Sequence, residues 1–200
     1  VNYAIDSGVH GVFVNSTTGE GVCLTGKEKL RNQHIVWQVT DKRVPVYAGI
    51  SDTGTRRALK CLEHVQKNGA DILVAHPPFY YPPNNQEELV NYFSAIADHA
   101  DLPLMLYNIP FTTKASLTID SVKKLLEKEN IIGIKDSSVD YVFLMNLIEL
   151  KKIRPDFRIF IGKTHMWTAG ILSGADGGLD GISNLIPRHC VNLYNAIINR

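Results

Sequence analysis

Short apolar runs rich in β-branched residues alternate with amphipathic stretches along the whole chain. The runs "GVFVN" (11–15), "VPVYAGI" (44–50), "DILVAH" (71–76), "LPLMLYN" (102–108), "IIGIK" (131–135), "FRIFIG" (157–162) and "GGLDGIS" (177–183) read as strands. The last carries the weakest signal, because its glycines lower strand propensity.

Helical patterns fill the gaps. Thr25 and Glu28 make a capping-box signature ahead of "EKLRNQHIVWQV". "TRRALKCLEHVQKNGA" places Ala58, Leu62 and Val65 at helical spacing and stops at Gly69. "NNQEELVNYFSAIADHA" has Asn85 as its N-cap and Leu89, Tyr92, Phe93 and Ile96 on one face. "SLTIDSVKKLLEKEN" and "DYVFLMNLIELKKI" repeat the pattern, and a shorter helix falls near "MWTAGILSGA".

Strand followed by helix, over and over, implies parallel strands joined by right-handed crossovers. An open doubly wound sheet and a closed barrel both meet that description. A dinucleotide-binding glycine turn after the first strand would favour the sheet, and the chain has none. Polar, chemically capable residues instead fall at the C-terminal ends of successive strands, where barrel enzymes keep their sites. Barrels run to about 250 residues and eight strands. The expected fold is therefore an α/β TIM barrel, (β/α)8, forming one domain over residues 1–200 but lacking its first strand and its C-terminal helical tail. The start, "VNYAIDSGVHGVFVN", and the end, "PRHCVNLYNAIINR", both read as cut inside helices.

Composition narrows the partners. The net charge is +1 and basic residues are dispersed, so neither nucleic acid nor an acidic membrane surface is expected. No apolar run approaches the roughly 18 residues of a membrane span, and no signal peptide is visible. The 3 cysteines, Cys23, Cys61 and Cys190, are far apart, which argues against a disulfide framework or thiolate metal site. A reducing cytoplasm fits.

The strand ends supply the chemistry. Ser16, Thr17 and Thr18 precede a glycine turn, where hydroxyls and backbone N–H groups can hold a carboxylate; a plain Ser/Thr turn reads equally well. "HPPFYYPPNN" carries aromatics between prolines, either as a packed surface loop or as part of a site, and its His76 is a candidate acid or base. Tyr107, in "YNIP", is a competent proton relay or a packing residue. Lys135 ends an apolar run. A lysine attacks a carbonyl only when neutral, and desolvation depresses its pKa toward that state. The alternatives are a side chain that snorkels to solvent or one paired with Asp136. Strands of one barrel aim their ends at one cavity. Together these residues suggest a lysine forming an imine with a ketone, a threonine pair holding the adjacent carboxylate, and a tyrosine moving protons.

The sequence resembles the dihydrodipicolinate synthase/N-acetylneuraminate lyase family of class I, Schiff-base aldolases. The segments "GVFVNSTTGEG", "PPFYYPP", "LPLMLYNIPFTT", "NIIGIKDSS" and "GADGGLDGISNLIP" carry the likeness in order and spacing. The resemblance implies a TIM barrel assembled as a tetramer of paired dimers, acting on a 2-oxo acid without metal or cofactor. It implies that Lys135 forms the imine with pyruvate and that Tyr107 relays protons. Thr17 and Thr18 would hold the pyruvate carboxylate, with Thr17 also linking the tyrosines. Tyr80 would reach into the relay of a neighbouring subunit. Thr112, Gly162 and Ser183 would line the substrate. Thr112 stands where synthases carry an arginine, and Lys163, Thr164 and His165 stand where sialic acid lyases carry an acidic pair. The pattern is closest to the 2-keto-3-deoxy sugar acid aldolases. A dihydrodipicolinate synthase and a non-catalytic binding barrel are the rival readings.

Overall fold

The apolar runs become the strands of one parallel sheet. The computed structural model describes residues 1–200. The strands are β1 (Val12–Val14), β2 (Val46–Gly49), β3 (Ile72–Ala75), β4 (Leu104–Asn108), β5 (Ile131–Asp136), β6 (Arg158–Ile161) and β7 (Gly177–Gly178). They lie side by side in chain order, each parallel to the next. Since the order never reverses, the sheet is wound in one direction only, which rules out the doubly wound arrangement.

The helices are α1 (Asn2–Asp6), α2 (Gly26–Thr40), α3 (Thr55–Lys67), α4 (Gln86–His99), α5 (Pro110–Thr113), α6 (Ile119–Leu125), α7 (Tyr141–Glu149), α8 (Trp167–Leu172) and α9 (Pro187–Ile198). The capping box of α2 forms: Glu28 accepts the Thr25 N–H at 2.8 Å while the Thr25 hydroxyl accepts the Glu28 N–H at 3.3 Å. Asn85 caps α4, its side-chain oxygen accepting the Glu88 N–H at 3.0 Å. Past α3 the chain turns at Gly69, with φ +95° and the Trp37 ring 2.6 Å from where a Cβ would stand, so only glycine fits.

Alternation along the strands separates two apolar regions. Val14, Ala48, Leu73, Ala75, Leu104, Leu106, Ile134, Ile159 and Ile161 join the buried faces of the helices in the main core. On the sheet's other side, Val74, Met105, Tyr107 and Ile109 form a smaller cluster flanked by Phe13, Tyr47, Ile72 and Phe160. Register places Tyr107, Lys135, Phe160 and Gly177 in one row across β4 to β7.

The architecture is a seven-stranded parallel half-barrel, in which β1 and β7 are each paired on one side and not with each other. Both margins line one cavity of about 950 Å³. One expected strand is shorter than its pattern. The run 177–183 is strand only at Gly177–Gly178. The Leu179 N–H still donates to the Ile161 carbonyl at 2.9 Å, after which the chain bends into a 3-10 turn at Ile182–Asn184. The glycines explain the brevity. A Cβ at Gly178 would fall 1.8 Å from the Trp167 ring, so β7 has no side chain of its own to pack there.

Candidate active site

β5 carries Lys135 onto the inner side of the sheet, leaving the side chain 5% exposed. Its Nζ lies 3.9 Å from the centroid of the Tyr107 ring and 5.3 Å from that of Phe13. The nitrogen thus lies against the Tyr107 side chain, over its ring. Burial depresses the amine's pKa below the usual lysine value; Tyr107 and Asp180 act in the opposite direction, and Lys163 adds to the depression. No carboxylate lies within ion-pair distance of Lys135. Asp136 points the other way, as its neighbour in a strand must. It accepts from Asn108 Nδ2 at 2.8 Å and from the Ser138 hydroxyl at 2.8 Å, and burial pushes its pKa up. Pairing of Lys135 with Asp136, and snorkelling to solvent, are both excluded by this arrangement.

The two threonines after β1 divide between two spaces. Thr18 lines the large cavity with Lys135 and Ser183. Thr17 lines a smaller one, of about 170 Å³, with Tyr107, His76 and Thr112. The Thr112 hydroxyl donates to the Ile109 carbonyl at 3.2 Å. Gly162 closes against the lysine: a Cβ there would stand 3.1 Å from Lys135 Cε and 1.9 Å from Ser137 Oγ. His76 packs its ring 6.1 Å from that of Tyr107, and its Nδ1 lies 2.8 Å from the Pro77 carbonyl, to which only an N–H can donate. Burial lowers the His76 pKa, which favours a neutral ring that positions the tyrosine.

Tyr80 stands apart. It is 81% exposed, lines neither cavity, and meets Tyr81 edge to face at 4.9 Å between centroids. Its φ of +75° is uncommon for an aromatic residue.

Of two further charged groups near the lysine, Lys163 enters the sequence reading only as a departure from the sialic acid lyase pattern, and Asp180 does not enter it. Lys163, just past β6, holds its amine 5.3 Å from the Phe111 ring centroid. Asp180, two residues past β7, lines the large cavity with Lys135. A polar residue set among glycines at a strand end was the available signal for Asp180. No three His, Cys, Asp or Glu side chains converge to hold a metal ion.

The model of the dihydrodipicolinate synthetase family matches residues 1–199. A probable 2-dehydro-3-deoxy-D-pentonate aldolase of Escherichia coli is 34% identical over 199 residues, covering 98% of this chain and 65% of the relative. A 4-hydroxy-tetrahydrodipicolinate synthase of Staphylococcus saprophyticus is 32% identical, covering 98% of this chain and 66% of the relative. The crystal structure of YagE, a prophage protein of Escherichia coli K12 in complex with pyruvate, superposes with a TM-score of 0.94 at 32% identity, covering 99% of this chain and 67% of that one. The chain thus spans about two thirds of the length of the relatives it matches.

Proposed function

Since the chain belongs to the dihydrodipicolinate synthetase family of lyases and aldolases, we propose that it is a pyruvate-dependent class I aldolase that cleaves a 2-keto-3-deoxy sugar acid to pyruvate and an aldehyde. The observation that carries this reading is the buried, unpaired amine of Lys135 beside Tyr107 in a polar-rimmed cavity. A lysine costs stability in such a place, and a depressed pKa supplies the free amine that carbonyl attack needs.

In this reading the Lys135 nitrogen adds to C2 of the 2-oxo acid, water leaves, and an iminium forms. The C3–C4 bond then breaks, its electron pair settling on the iminium nitrogen as an enamine. The proton of the C4 hydroxyl enters a relay through Tyr107 and Thr17 and returns to C3. Water hydrolyses the resulting imine, releasing pyruvate and the amine. Thr17 and Thr18 hold the C1 carboxylate. Thr112, Gly162 and Ser183 border the remainder of the substrate. Tyr80 joins the relay of a neighbouring copy in a homo-oligomer. An eighth strand between β1 and β7 completes a barrel of which residues 1–200 form one domain, working in a reducing cytoplasm.

The test is reduction with borohydride in the presence of pyruvate, read by intact mass and peptide mapping. A pyruvyl adduct on Lys135, absent from Lys135→Ala, is expected. An unmodified wild-type chain would leave only a binding barrel. A second reading, synthesis from pyruvate and aspartate semialdehyde, is favoured by the synthase relative, whose identity is close to that of the aldolase. Turnover with aspartate semialdehyde but not with hydroxyaldehydes would select it.

A further inference from the structure

Asp180 is a carboxylate in the reaction cavity with no cation bonded to it. It shares the lining of that cavity with Lys135, Thr18 and Ser183. Its Oδ1 accepts the Ile182 N–H at 3.1 Å, and the Ser183 hydroxyl donates to its main-chain carbonyl at 2.7 Å. The turn is pinned against the threonine pair, since a Cβ on Gly181 would stand 2.8 Å from Thr18 Oγ1. No Lys, Arg or His nitrogen lies within ion-pair distance of it, although Lys135 and Lys163 are its charged neighbours across the cavity.

A carboxylate offers about four acceptor sites, and the backbone takes up only part of that capacity. Half-buried, with backbone donors at Ile182, Ser183 and Thr164, it keeps acceptor capacity for a further donor, and its charge disfavours a second anion nearby. Burial raises its pKa, whereas the facing backbone N–H groups and the Lys135 charge oppose the rise. The substrate's hydroxyl groups are donors it can meet on the cavity side. With C2 on Lys135 and C1 against the threonines, the carbons beyond C3 extend into the space that Asp180 borders.

We infer that Asp180 is a specificity-determining residue, whose carboxylate accepts hydrogen bonds from hydroxyl groups on the substrate carbons beyond C3. It selects polyhydroxylated 2-oxo acids, and hydroxyaldehydes in the condensing direction, over chains that are bare or end in a second carboxylate. The inference rests on the Schiff-base reading and adds to it the chemistry of the distal part of the substrate.

The test compares glyceraldehyde with propanal as acceptors for pyruvate, in the wild type, Asp180→Asn and Asp180→Leu. Pyruvate trapping on Lys135 is measured alongside. The two aldehydes share a three-carbon skeleton and differ in their hydroxyls. Trapping is expected to persist in both variants, certifying the fold and the lysine. The kcat/KM preference for glyceraldehyde is expected to fall by roughly 10- to 10²-fold in Asp180→Leu, the loss of a charged hydrogen bond, and by less in Asp180→Asn, which keeps one acceptor. An unchanged preference with trapping intact overturns the inference and leaves the aldolase reading standing. Loss of trapping in Asp180→Asn also overturns it, because the carboxylate would then be serving Lys135 and not the substrate. Absence of an adduct in the wild type overturns both.

Discussion

Lys135 shows what a functional side chain costs. Its burial lowers the amine's pKa from the usual 10.5. Between the lowered value and 10.5 the unfolded chain binds more protons than the folded one, so stability rises with pH through that window and is fully recovered above it. Lys135→Met removes the titrating group and keeps the stem. It is expected to stabilise the protein at neutral pH by roughly 0.5–2 kcal/mol and to abolish the alkaline gain, as thermal melts at several pH values will show. Tyr107 faces the opposite test. Tyr107→Phe keeps the ring beneath the amine but deletes the hydroxyl, so the fold should persist while turnover drops by roughly 10²- to 10⁴-fold. Wild-type turnover in that variant would remove Tyr107 from the relay.

At the scale of elements, helix ends and strands were legible in unequal measure. The Asn85 cap follows from local chemistry and forms as expected. Asn85→Ala should lose about 1 kcal/mol by denaturant unfolding and leave pyruvate trapping intact. Six strands could be read because their runs are apolar and rich in β-branched residues, as strands covered on both faces of a parallel sheet tend to be. "GGLDGIS" reads as a strand but not with its true length, because glycines there answer to a tertiary neighbour, Trp167, that no local pattern reveals. Its length bears on the site. As a two-residue strand followed by a turn, it puts Asp180 on the cavity wall beside Ser183 and turns the Ser183 hydroxyl to the backbone. Lys135 was legible for a simpler reason: an ionisable group at the end of an apolar run has few structural excuses.

For the molecule as a whole, the outward Tyr80 loop and the unpaired margins of the sheet both concern what lies beyond the chain. Proline pairs flank Tyr80 and Tyr81 and reduce the entropy lost when the loop is held in contact. Sedimentation is expected to find a dimer or tetramer, with Tyr80→Ala loosening it; a fully active monomer would end the shared-relay proposal. The one-directional strand order has a consequence of its own. Its middle strands are each hydrogen-bonded on two sides, whereas β1 and β7 are bonded on one. In residues 1–200 without the proposed eighth strand, deuterium should therefore enter the backbone amides faster at β1 and β7 than at β2 to β6. A profile that is instead level from β1 to β7 would reveal, peptide by peptide, that other polypeptide covers the margins.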